Sequence, residues 1–172
     1  IAHYYGMNHT TVAYIPLPSG RTTANKTTAH DMNSFLNQLY HREFPHSEEM
    51  IACMGLPNKD RVYDGTCISR SLNVDKDKQT EIEWFGIVDK TGTIYGLCGE
   101  AALLTIKYKD QQGNTQKKPY TLIAIIEDKT IKGYGKGPGY KTWGRSRGEI
   151  IRSMSEGVYW HFIKEITGVD YK

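Results

Sequence analysis

The clearest hydrophobic pattern near the start of the chain is that of an amphipathic helix. Over residues 28–42, apolar residues recur at spacings of three and four, which places them on one helix face. They are Met32, Phe35, Leu36, Leu39 and Tyr40. Thr27 or Thr28 can cap this helix through its hydroxyl oxygen. A second, short helix is predicted to begin with Ser47 as its N-cap and to end just before Gly55.

Alternating apolar and polar residues predict an antiparallel sheet of about five strands in the middle of the chain. A weak strand pattern covers Thr10–Ile15, and another follows at residues 61–72. Residues 80–97 predict two short strands on either side of "DKTG", which we interpret as a hairpin turn. Two longer strands are predicted around the polar stretch at residues 109–118. The second of these is apolar on both faces, which is typical of a central strand.

The last pattern is a closing helix that ends before Gly168. Its apolar stripe consists of Ile151, Met154, Val158 and Phe162. Because helices and strands are segregated along the chain, the fold class is expected to be α+β: N-terminal helices, a central antiparallel sheet and a C-terminal helix. The length of 172 residues suits a single compact domain over 1–172, and we interpret it as a fragment or mature piece of a longer chain.

Composition is consistent with a soluble globular protein. Hydrophobic residues make up 38% and charged residues 24% of the chain, and the mean hydropathy is −0.56. Apolar runs are too short to predict a membrane span. The three cysteines, Cys53, Cys67 and Cys98, lack metal-ligand spacing, so we favour reduced thiols, with one disulfide plus a free thiol as the alternative.

Positive charge is concentrated in residues 129–152. This segment has seven Lys and Arg residues and one acid, a net charge of +6, whereas the whole chain has +3. Glycines and aromatic residues alternate with the basic ones, a mixture that suits contact with phosphates and bases. We therefore predict a binding site for a phosphate-rich ligand, with RNA or another polyanion as the partner. The candidate binding residues are Lys132, Lys136, Lys141, Trp143 and Arg145. The alternative is a solvated surface loop.

Two histidines and an arginine are candidates for catalysis beside this segment. His161 or His41 can act as a general base or general acid, since imidazole titrates near neutral pH. Arg147 or Arg145 can stabilise a charged transition state. The function that follows is a metal-independent phosphodiesterase or nuclease. No His-Glu-x-x-His pair or close His/Cys cluster occurs, and no metal or cofactor is predicted.

Two other functions are kept as alternatives. Cys98 lies between glycines and could act as the nucleophile of a hydrolase or transferase, with His161 or His41 as its base. Its other interpretation is a buried strand residue. The second alternative is a non-enzymatic module that binds a protein partner, because no established catalytic motif stands out in these patterns.

Overall fold

The computed structural model describes residues 1–13, 25–55, 61–66, 68, 80–82, 88–131 and 139–168. After a short 3-10 helix at Ala2–Tyr5, the elements are α1 (Ala29–Tyr40), α2 (Ser47–Met54), β1 (Thr80–Ile82), β2 (Val88–Ile94), β3 (Leu97–Lys109), β4 (Thr115–Glu127) and α3 (Tyr140–Thr167). The α+β class is confirmed. None of the described helices is long and apolar enough to cross a membrane.

The described part of the sheet has four strands, fewer than the predicted five, and all its pairings are antiparallel. β4 pairs with β3 from end to end, between Leu97↔Glu127 and Lys109↔Thr115. β2 and β1 occupy the other side of β3 one after the other. Among the strands that the structure describes, the central one is therefore β3, whereas the strand predicted to be central, β4, pairs only with β3. β3 is the more buried of the two because it is flanked by strands on both edges and by helices on both faces.

The hairpin turn is also displaced from its predicted position. "DKTG" (residues 89–92) lies inside β2, and the turn is Tyr95–Gly96, closed by the pair Ile94↔Leu97. Gly96 has a φ of 92°, a conformation that favours glycine. The β-branched threonines on either side of Gly92 suit a strand, and they outweigh the turn propensity of Asp and Gly.

Helices cover both faces of the sheet. Leu103 of β3 packs in one cluster with Leu36 and Leu39 of α1. Its neighbour Leu104 faces the opposite way and packs with Tyr159 and Ile163 of α3. This alternation is the period of two expected of a strand. The α1 face and the α3 face of the sheet are therefore two separate cores, joined through β3.

The N-terminal helices agree closely with their sequence pattern. Thr28 caps α1, its hydroxyl oxygen accepting a hydrogen bond from the Asp31 N–H at 3.1 Å. α2 begins at Ser47 and is followed by Gly55, but its capping residue is His46, which has a φ of 60°. At the predicted first strand the structure contains an isolated bridge, Thr11↔Lys26. Residues 14 and 15 of that prediction lie outside the described residues.

The C-terminal helix is longer than predicted. α3 has 28 residues and begins at Tyr140, so the second half of the predicted basic loop is helical. Its buried line includes Gly148, Ile151, Ser155, Tyr159 and Ile163, whereas Met154 of the predicted stripe is 44% exposed. The helix ends at Gly168, whose φ is 72°, as predicted.

Candidate functional site

The outer edge of β2 is the edge that does not pair with β3. Within the described part of the chain, no strand pairs with it. The Tyr140 hydroxyl donates to the Thr93 carbonyl at 3.0 Å, so this carbonyl points away from β3. Main-chain groups of every second residue point the same way in an antiparallel strand. The N–H and C=O of Thr91 therefore also face the outer edge, where they can meet an extended ligand.

Side chains along β2 divide between the two faces of the sheet. Lys90 is opposite Ala101, on the α1 face, and its ammonium is exposed and donates to the Thr91 carbonyl. Gly92 is opposite Gly99, and a Cβ at Gly92 would meet nothing within 4 Å. This glycine pair leaves the sheet surface beside Lys90 open.

A groove of about 340 Å³ lies on this open surface, between β2 and the start of α1. Met32, Ile94, Leu97, Ile123 and Ile125 make most of its wall apolar. Lys90 is the basic residue along it. Glu100 also lines the groove, but its side chain is fully buried, which leaves Lys90 as the exposed charge in this lining. A mostly apolar groove of this size with a well-placed charge is typical of small-molecule sites.

On the α3 face of the sheet, Arg61 contacts side chains of both β2 and β3. Arg61 donates to the Thr93 hydroxyl at 2.7 Å and to the Glu100 carboxylate at 3.4 Å. Glu100 lies opposite Thr91 in the β2–β3 ladder, and its side chain is fully buried. A buried carboxylate needs a charged partner to offset the loss of solvation. Arg61 supplies that charge and at the same time holds Thr93 in place.

Cys98 is placed where a nucleophile cannot reach a substrate. The residue is 0% exposed and packs with Ala124 and Ile151, and its Sγ lies 3.8 Å from the Thr93 hydroxyl oxygen. A thiol nucleophile needs access to its substrate. The burial favours the interpretation of Cys98 as a packed strand residue.

The two candidate histidines are not brought together. His41 follows the last residue of α1, and His161 lies in the last third of α3 beside Phe162, with ring centres 5.5 Å apart. Both are exposed. α1 and α3 pack on opposite faces of the sheet, so the two histidines belong to elements on different sides of it. Their separate catalytic roles stay predictions.

Arg147 and Trp143 of the basic segment both contact Asp128, and they also contact each other. Arg147 lies 3.5 Å from the Asp128 carboxylate and 5.5 Å from the centre of the Trp143 ring. The indole N–H of Trp143 also points to Asp128, at 3.4 Å, and its ring packs against the cluster around Cys98. The Trp143 ring is thus half-buried in protein contacts rather than presented as a stacking platform.

The other predicted binding residues are either exposed on α3 or outside the described residues. Lys141 and Arg145 are exposed on the first turns of α3. Lys132 and Lys136 lie outside the described residues. In the part of the chain that the structure describes, no three His, Cys, Asp or Glu side chains group as ligands for a metal ion.

The chain was compared with models of known protein families. The model of the beta-lactamase enzyme family matches residues 1–140 of the 172. No curated protein and no solved structure matches the chain significantly.

The matched residues include a tripeptide that the sequence analysis did not single out as a candidate site. Class A β-lactamases and penicillin-binding proteins carry a Lys-Thr-Gly motif together with Ser-x-x-Lys and Ser-Asp-Asn. Lys90, Thr91 and Gly92 form the Lys-Thr-Gly sequence, which we had assigned to a hairpin turn. The tripeptide itself is visible in the sequence without any structure. Neither of the other two motifs occurs in these 172 residues.

The family overturns the predicted function. It indicates a fold of the serine-hydrolase type rather than a nucleic-acid-binding domain, so the prediction of RNA binding and phosphodiester cleavage was wrong. It gives no support to a thiol hydrolase using Cys98 or to a non-enzymatic interaction module. With the match covering 140 of its 172 residues, the chain belongs to the beta-lactamase enzyme family.

Proposed function

We propose that β2 is the substrate-binding strand of a serine-type acyl hydrolase, and that its ligands are β-lactams or related amides that carry a carboxylate. The observation that carries this proposal is the Lys-Thr-Gly sequence at the outer edge of β2, next to the apolar groove. The motif is shared by enzymes that react with β-lactams through a serine.

Each part of the strand has a chemical counterpart in such a ligand. The Lys90 ammonium, on the α1 face beside the groove, can bind a carboxylate by a charge-assisted hydrogen bond. The Thr91 N–H and C=O can pair with an amide of the ligand, as an added strand would. Gly92, without a side chain, lets the ligand approach the strand closely. The apolar wall of the groove takes the rest of the ligand.

The contribution of this strand to acyl transfer is to orient the ligand. Holding a reactive carbonyl in a fixed position supplies much of the rate enhancement in such reactions. The proposal covers binding and orientation by β2. It assigns no nucleophile to these 172 residues.

Binding of benzylpenicillin to the purified protein tests the proposal, with the affinity measured by titration calorimetry. Lys90→Ala is expected to weaken binding about tenfold or more, as loss of a charge-assisted hydrogen bond does. Lys129→Ala is the matched control, because Lys129 is 84% exposed and lies outside the groove. The methyl ester of the ligand, which lacks the carboxylate, should bind as weakly to the wild type as the acid does to Lys90→Ala. Equal affinities of the wild type and Lys90→Ala, or no binding by either, would refute the proposal.

A further inference from the structure

A second cavity, of about 440 Å³, lies on the α3 face and is separate from the β2 groove. Its lining contains three guanidinium groups, those of Arg61, Arg145 and Arg152. The carboxylate of Glu149 is the acidic group in this lining, and glycines make up the rest. Cationic side chains that converge on a cavity of this size favour a bound anion.

Glycine in α3 brings two of these guanidinium groups together. A Cβ at Gly148 would lie 3.2 Å from Arg61 Nε and 3.4 Å from Arg152 Nη1. Both cations therefore lie over the same point of the helix backbone, close to each other. Like charges this near repel, and the repulsion is reduced when an anion lies between them.

The surrounding carboxylates neutralise two of the three cations. Arg61 contacts Glu100 at 3.4 Å, and Arg152 contacts Glu149 at 3.1 Å. Arg152 also donates to the Asp64 carbonyl at 2.9 Å. Arg145 forms no ion pair or hydrogen bond with any residue that the structure describes. Among the described residues, Arg145 is therefore the one cation of this cavity without a carboxylate partner.

We propose that this cavity binds a small organic anion with two or three carboxylates. Planar guanidinium groups match carboxylates with two parallel hydrogen bonds, and the cavity already pairs Arg61 and Arg152 with carboxylates of the protein itself. Arg145 supplies the positive charge that binds the ligand. Arg61, in the 61–66 segment, and Arg152, on α3, complete the lining of the site. The site does not include Lys90 or the β2 groove.

Citrate is the probe, and titration calorimetry and the unfolding temperature are the two readouts. Citrate is expected to bind the wild type and to raise its unfolding temperature more than sodium chloride of the same ionic strength does. Arg145→Gln should weaken citrate binding about tenfold or more. Without citrate, this variant should unfold close to the wild-type temperature, because Arg145 is exposed and forms no ion pair or hydrogen bond with the residues that the structure describes.

Lys141→Gln is the matched control, since Lys141 is an exposed cation one turn earlier on α3 and lies outside the cavity. An equal loss of citrate binding in Lys141→Gln would show a general effect of net charge and would overturn the site. So would a response to citrate that sodium chloride reproduces. A response to inorganic phosphate as strong as that to citrate would overturn the assignment to carboxylates. Lys90→Ala should bind citrate normally, so failure at this site is distinguishable from failure of the β2 proposal.

Discussion

Ser155, in the middle of α3, donates its hydroxyl hydrogen to the main-chain carbonyl of Val62, 93 residues earlier in the sequence. Both residues are fully buried. The bond explains why a polar residue lies in the buried line of α3 where a purely apolar stripe was predicted. The bond attaches the 61–66 segment to α3 and so helps to position Arg61 on the α3 face of β2.

Ser155→Ala is expected to lower the free energy of unfolding by about 1–3 kcal/mol, because the Val62 carbonyl would be left buried without this donor. Urea unfolding monitored by tryptophan fluorescence measures the change. Ser153→Ala is the control, since Ser153 is exposed on the same helix and should change stability by less than about 0.5 kcal/mol. Equal effects of the two substitutions would contradict the assigned role of the bond.

Leu104→Ala should destabilise the protein by about 2–5 kcal/mol. Leu104 is 0% exposed on β3 and belongs to the core under α3, so the substitution leaves a cavity that its neighbours fill only in part. Ile125→Ala on β4 removes a similar side chain that is 43% exposed, and it should cost clearly less. The same urea titration compares them, and a larger loss for Ile125→Ala would mean that β3 is not the central strand.

Two glycines of α3 should respond to alanine in opposite directions. Gly157 lies in the helix interior with open space around it, so Gly157→Ala should raise stability by about 0.5–1 kcal/mol. Gly168 ends the helix with a φ of 72°, and Gly168→Ala should lower stability by about 1 kcal/mol because a Cβ strains this conformation. Thermal unfolding measures both, and changes of the same sign would refute the assigned end of the helix.

Acid should weaken the attachment of the N-terminal segment to α1. Burial opposes ionisation of Asp31, but hydrogen bonds from the Thr10 hydroxyl and the His9 N–H outweigh it and hold the pKa below its ordinary value of 3.8. Since the pKa is lower in the folded state, the stability that the ionised group contributes is present above pH 3.8 and is lost as the pH falls through the lowered pKa.

Urea midpoints of the wild type and Asp31→Asn, measured from neutral pH down through this range, test that prediction. The variant should be less stable at neutral pH and should lose less stability on acidification than the wild type. Glu43→Gln, at an exposed position, should follow the wild type. An Asp31→Asn protein with the full acid dependence would rule out Asp31 as its source.

Cys53 and Cys98 should differ in their rate of reaction with an alkylating reagent. Cys53 is exposed and should react with iodoacetamide in the folded protein, whereas Cys98, at 0% exposure, should react only after unfolding. Peptide mapping by mass spectrometry after short labelling distinguishes the two sites. Rapid labelling of Cys98 in the native protein would show that its Sγ is accessible and would reopen its candidacy as a nucleophile.

The elements that sequence predicted well are those whose signals are local. The apolar spacing of α1, its cap at Thr28 and the stop at Gly168 all depend on residues within a few positions of each other. The beginning of α3 was missed because Gly139, Gly144 and Gly148 lower helix propensity locally. Gly148 is accommodated in the helix because Arg61, which is distant in sequence, packs over it.

The candidate site was missed for a related reason. Lys90, Thr91 and Gly92 are residue types that also suit turns, and their composition alone does not show that they lie in a strand. Which edge of a strand is open depends on the order of strands in the sheet, and that order is set by long-range pairing with β3. The positive charge of the basic segment was real, but spacing could not show that Arg147 would pair with Asp128.

The length and position of β3 also bear on how the protein folds. β3 follows β2 after the turn Tyr95–Gly96 and precedes β4 after the turn at residues 110–114, so two hairpins share it. Short loops close quickly and at little entropic cost, so these hairpins are expected to form before the contacts of α1 and α3. The helices then add to a sheet already in register, and substitutions in the two turns should slow folding more than substitutions in either helix.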